Sequence, residues 1–216
     1  MNNIHFIYSL DETTIFLNVF QENFDRNFYV IEPNKKSVEE SINFASNIPE
    51  KDIVVFLGHG HSTGLYTPES KEFNKNIFIS SKNGNVLFKK KKVLLLSCNS
   101  NQFISRLNTY DSIIGFGNII SSLAEVSIEA ENVTGVYREI NKDDIDYFNA
   151  CYCAAIIKSL KLVSQNLYNF EEIPQLIEFN LNHNIGTLLK NKSIINRTEI
   201  AKLFFEFRNE ILIKKT

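Results

Sequence analysis

Two short runs carry no polar residue on either face: Ile53-Val54-Val55-Phe56-Leu57 and Val93-Leu94-Leu95-Leu96. A strand of a half-exposed sheet alternates apolar and polar side chains, whereas an unbroken apolar run needs both faces covered. Such strands belong to a parallel sheet sandwiched between helices, and the rest of the chain supplies the helices. Ile4-His5-Phe6-Ile7-Tyr8 and Phe28 to Ile31 read as two further strands, and Ile113-Ile114-Gly115-Phe116 as a fifth. Between them lie amphipathic stretches. A helix is expected from Asp11 through Phe24, its acidic start suiting the helix dipole. A second is expected to be capped by Ser37, with Glu40 completing a capping box and Pro49 beyond its end. Ile77-Phe78-Ile79 and Val86-Leu87-Phe88 flank Lys82-Asn83-Gly84-Asn85 and read as a small hairpin.

From Asp143 the pattern turns helical, over roughly residues 143–167, 173–190 and 198–213. The stripe Phe204, Phe205, Phe207 is expected to be the packing face of the last helix. Strands separated by helices imply parallel pairing with right-handed crossovers. The expected fold is a three-layer α/β/α domain with a mostly parallel sheet and a helical C-terminal third. Its 216 residues suit one domain, with residues 1–125 as the α/β core and 126–216 as its helical completion.

Composition narrows the function. Lys and Arg number 23 against 25 Asp and Glu, a formal charge of -2. Nucleic-acid and anionic-membrane binders need a basic excess, so neither partner is expected. The run Lys89-Lys90-Lys91-Lys92 reads as a solvated edge or loop. The longest apolar run, Ala150 to Ile157, falls far below the ~18 residues of a spanning helix. Met1 to Leu10 carries no secretory leader pattern, and three cysteines make a poor disulfide framework, so a reducing cytoplasm is expected. Neither a dinucleotide-binding glycine pattern, a Gly-Lys-Ser/Thr loop nor a Gly-x-Ser-x-Gly elbow occurs, so no cofactor is expected.

Ligands of open parallel sheets bind beyond the carboxyl ends of the strands. The third strand runs into Gly58-His59-Gly60-His61 and the fourth into Ser97-Cys98-Asn99-Ser100. If the two strands are neighbours, a histidine and a cysteine face each other at that rim. Nucleophilic thiol catalysis requires this pair, the imidazole taking the thiol proton. Glycines beside His59 let a substrate backbone approach and let N–H groups point at an oxyanion. Two other readings exist. The chain could be a non-catalytic binding or regulatory module, or His59 and His61 could form half of a zinc site of a metal-dependent hydrolase. The sequence offers that site no nearby third ligand.

An apolar block ending in His-Gly, a variable insert, and a second apolar block ending in Cys together resemble the caspase-like cysteine peptidases, which include metacaspases and bacterial CHAT domains. The resemblance covers roughly residues 4 to 125 and implies a caspase-like fold. It implies a cysteine endopeptidase acting on a protein or peptide substrate, with Cys98 as nucleophile and His59 as general base. It places the oxyanion hole at the N–H groups of Gly60 and Cys98. Asp11 and Glu12, just after the first strand, and His61, Gly117 and Asn118 become candidate substrate contacts. An acidic pocket at Asp11 and Glu12 would favour a basic substrate residue; read from spacing alone, both are helix N-terminal charges. Leu96 stands where many relatives carry a polar specificity residue. Small bacterial relatives often act beside defence or cell-death partners, so a regulatory partner protein is a further expectation.

Overall fold

The computed structural model describes residues 3–24, 26–132, 137 and 140–216. In chain order its elements are β1 (Ile4–Ser9), α1 (Asn18–Asn23), β2 (Phe28–Ile31), α2 (Lys35–Asn47) and β3 (Ile53–Leu57). There follow β4 (Gly60–His61), β5 (Gly64–Tyr66), β6 (Ile77–Ser80), α3 (Ser81–Leu87), β7 (Lys92–Leu96), α4 (Ser100–Phe103) and β8 (Ser112–Gly115). The chain ends with α5 (Leu123–Asn132), α6 (Lys142–Ser164), α7 (Ile173–Lys190), α8 (Arg197–Asn209) and β9 (Leu212–Lys215).

The main sheet has the order β2-β1-β3-β7-β8-β9. Its first five strands are parallel and β9 runs antiparallel to β8. The apolar runs form its centre, and every residue of β3 is buried. Alternate side chains feed two cores. Phe6, Val55, Leu57, Leu94 and Ile114 pack with α1, α6, α7 and α8. Ile7, Val54, Phe56, Val93 and Leu95 pack with α2, α3 and α4. Two covered faces are the physical reason these strands lack polar alternation. The α/β class, the mostly parallel sheet and the helical last third stand as expected. Among the described residues no helix is long and apolar enough to cross a membrane.

Five local expectations are corrected. No regular helix starts at Asp11: a 3₁₀ turn, Ile15–Leu17, leads into α1, and Asp11 precedes both. Its Oδ1 accepts the N–H groups of Thr13 (3.0 Å) and Thr14 (3.2 Å), a local turn that competes with helix, and β-branched Thr13-Thr14-Ile15 does little to resist it. Helix α2 is capped by Asn34, whose Oδ1 accepts the Ser37 N–H at 2.9 Å. Ser37 instead turns its hydroxyl to the Glu32 N–H, and Asn caps as well as Ser.

The expected hairpin is one strand and one helix. Asn83 Oδ1 accepts the Ser80 N–H at 2.6 Å while its Nδ2 donates to Phe78 O, starting α3 where Asn-Gly suggested a turn. β6 pairs instead with β5. The last helix stops at Asn209, and Leu212–Lys215 forms an edge strand against β8. Lys214 and Lys215 on this outer strand discourage further pairing. Within the lysine run Lys91 is buried, its Nζ donating to Ala45 O (2.8 Å) and Leu87 O (2.7 Å). It satisfies carbonyls at the ends of α2 and α3, which no charge pattern reveals.

Candidate active site

Strands β3 and β7 are neighbours in register, with Leu57 opposite Leu96. The Gly58 N–H reaches the Leu96 carbonyl at 3.2 Å, so both strands end level. His59 and Cys98 therefore leave the sheet as equivalent residues of adjacent parallel strands. They wall one crevice of about 30 Å³, together with Gly58, Ser121, Glu125 and Tyr152. That volume is room for about one water.

Two glycines make this corner possible. Gly58 has φ +145° and a side chain there would meet Ser9 Cβ at 2.7 Å. A Cβ on Gly60 would meet Ser97 Oγ at 2.5 Å and Cys98 O at 3.0 Å, so β4 lies hard against the cysteine loop. Tyr66 N–H donates to His59 O, and β4 pairs Gly60 with Leu65. By the alternation of an antiparallel ladder, Gly60 then occupies a pair whose N–H points away from β5. That N–H thus lies outside the β4–β5 ladder, as the oxyanion role that the resemblance implies requires. Asn99 turns the chain with φ +55° into α4.

His59 is held by a carboxylate that sequence reasoning placed elsewhere. Asp11 Oδ2 lies 3.0 Å from His59 Nε2, with side-chain exposures of 5% and 21% respectively. Thr13 Oγ1 sits 2.9 Å from the same nitrogen and donates to Asp11 Oδ1 at 2.7 Å. The Glu69 N–H adds a contact to Asp11 Oδ2 at 3.3 Å. Burial alone raises the Asp11 pKa, but hydrogen bonds from His59 and Thr13, the His59 charge and the Glu69 N–H outweigh it. The carboxyl is held well below the usual carboxylate range. An ionised Asp11 fixes the ring proton on Nε2 and leaves Nδ1 as the basic nitrogen. The position after β1 carried a signal for this, but its turn-forming role and its ion pair read alike in sequence.

Cys98 is a protonated thiol in this arrangement. Its sulfur donates to Ile119 O at 3.4 Å. Burial first, and then the charge of Glu125, push it up to about 11. Glu125 is fixed in turn: its Oε2 accepts the N–H groups of Ser121 (2.7 Å) and Ser122 (3.0 Å). Its signal was present as Ser122-x-x-Glu125, a capping pair at the start of α5. Asn149 Nδ2 on α6 supports the same loop by donating to Ser121 O at 3.1 Å.

The remaining candidates divide. Glu12 joins Asp11, His59 and Glu125 around an open groove of about 850 Å³. Among the described residues, Asp11, Glu12, Glu69, Glu72 and Glu125 line it against Lys71 and Lys75, so the groove is acidic. His61 is exposed on β4 and turns its Nδ1 to Thr63 and Ser62, each 3.3 Å away. Among the described residues no group of three or more His, Cys, Asp or Glu is placed to hold a metal ion. Gly117 O accepts the Asn99 N–H at 2.7 Å, and the Asn118 N–H donates to Glu210 Oε2 at 2.8 Å. Gly117 and Asn118 thus brace the loop that carries Ile119. Glu210 comes from the turn between α8 and β9, a partner no local motif announces. No protein-family model matches the chain, and no curated protein is significantly similar to it.

Proposed function

We propose that this chain is a cysteine-dependent peptide-bond hydrolase of caspase-like design, with Cys98 as nucleophile and His59 as general base. The observation that carries the reading is the single crevice shared by His59 and Cys98 at the level ends of β3 and β7. The order of the two motifs along the chain supports it as well.

When a substrate carbonyl enters the crevice, the Cys98 S–H proton passes to His59 Nδ1 and the sulfur bonds to the carbonyl carbon. The oxyanion turns to the Gly60 N–H. Asp11 holds the imidazolium as it forms. The C–N bond then breaks as His59 returns its proton to the leaving amine, leaving a thioester on Cys98. Water, deprotonated by His59, hydrolyses that thioester and restores the thiol. The acidic groove beside His59 favours a substrate with a basic side chain. A thiol pushed up to about 11 suits a resting pair whose proton moves only with substrate in place.

The high thiol pKa and the turning of His59 Nε2 to Asp11 also suit a second reading, a catalytically silent module that binds a basic segment without cutting it. Alkylation separates the two. A peptidyl chloromethyl ketone ending in arginine is expected to label Cys98 at neutral pH, ahead of half-buried Cys151 and buried Cys153. Iodoacetamide, which enlists no substrate binding, gains rate at Cys98 only as pH rises towards 11. Peptide mapping by mass spectrometry reads both. Equal labelling of Cys98 and Cys151 by the peptidyl reagent favours the silent module.

A further inference from the structure

A second groove lies between α6 and the segment of the 3₁₀ turn and α1, with a volume of about 490 Å³. Its walls are apolar: Phe16 and Val19 on one side, Ile157 and Leu162 on the other. Exposed Ala150 and Ala154, one turn apart on α6, open its floor. The lining is far more apolar than that of the acidic groove, and the volume falls within the range of small-molecule sites, roughly 300–1,000 Å³.

Charge is confined to the rim and is uneven. At the N-terminal end of α6, Asp146 is paired with Lys142. At the other end stand Lys158 and Lys161, whose ammonium groups donate to neutral amide oxygens, Asn180 Oδ1 at 3.0 Å and Asn23 Oδ1 at 2.7 Å, while Lys161 also lies over the Phe24 ring at 6.0 Å. Among the described residues neither lysine has a carboxylate within ion-pair distance. An apolar trough closed at one end by two cations without counter-ions asks for a long apolar body with one anionic head.

We propose that the α1–α6 groove binds one long-chain aliphatic carboxylate, its chain over Ala150 and Ala154 and its head between Lys158 and Lys161. The groove shares only the Phe16 wall with the Cys98 crevice among the described residues, and the proposal does not depend on the hydrolase assignment. Lys158 and Lys161 supply charge-assisted hydrogen bonds to the carboxylate, and the trough removes the chain from water.

Isothermal titration of the full chain with monomeric dodecanoate is expected to show saturable 1:1 binding. Ala154→Phe fills the trough from an exposed position, so the fold survives, and it is expected to weaken binding at least tenfold. Lys158→Glu with Lys161→Glu is expected to weaken dodecanoate at least tenfold but dodecanol less than twofold. Absence of saturable binding, or binding indifferent to Ala154→Phe, overturns the site. Equal loss of acid and alcohol in the double variant overturns the carboxylate assignment. A concentration-dependent dimer that Ala154→Phe breaks, with no dodecanoate bound, replaces the ligand by a second copy of the chain.

Discussion

Replacing His59 by alanine is expected to slow cleavage of a susceptible peptide by about 10³-fold or more. Among the described residues that line the shared crevice, the imidazole is the group with the chemistry to accept the Cys98 proton and pass it to a leaving amine. Glu125 also lines the crevice, but its Oε2 is committed to the Ser121 and Ser122 N–H groups. The substitution also leaves Asp11, 5% exposed, without its His59 hydrogen-bond partner. His59→Gln keeps a donor for Asp11 while removing the base, and it is expected to lose as much activity with less loss of stability. Steady-state rates and urea unfolding of the two variants give the comparison. Activity within tenfold of the parent in His59→Gln contradicts the assigned role.

Phe148→Ala is expected to lower stability by about 3–5 kcal/mol, the range for deleting a buried phenylalanine. Phe148 is 1% exposed and sits at the junction of the helical layer. Its ring lies 5.1 Å from Tyr152, 5.1 Å from Phe204 and 5.9 Å from Phe207. The cavity left by alanine is enclosed by these aromatic groups on α6 and α8, which the sheet prevents from collapsing inward. Tyr152 also lines the Cys98 crevice, so the loss spreads to the site. Urea unfolding with an unchanged m-value measures it. A loss below about 1 kcal/mol would mean that the helical third packs independently of this cluster.

Much of this architecture is legible in residue pattern because the strongest signals are two-sided. β3 and β7 had to be covered on both faces, which fixed their parallel, central placement and with it the neighbourhood of His59 and Cys98. Signals that depend on one residue's choice of partner were ambiguous. Asp11 reads alike as a helix start or a substrate contact, and only the approach of β3 to β1 makes it the partner of His59. Asn83-Gly84 reads as a turn, yet the Asn83 side chain caps a helix and Gly84 is there for packing against Leu107. β9 was hidden because Leu212-Ile213 fits the apolar period of α8, while its strand form depends on the open edge of β8, about a hundred residues away. Glu210 and Lys91 were illegible for the same reason: each serves backbone groups that sequence separation conceals.

The central claim is that Cys98 attacks peptide carbonyls with help from His59. Its most direct test is a positional library of fluorogenic peptides, basic residues included, incubated with the parent chain and with Cys98→Ala. The account predicts cleavage by the parent, favouring a basic residue at the position that enters the acidic groove, and none above background for Cys98→Ala. Cleavage that survives in Cys98→Ala, or a parent that cuts no member of the library, contradicts it.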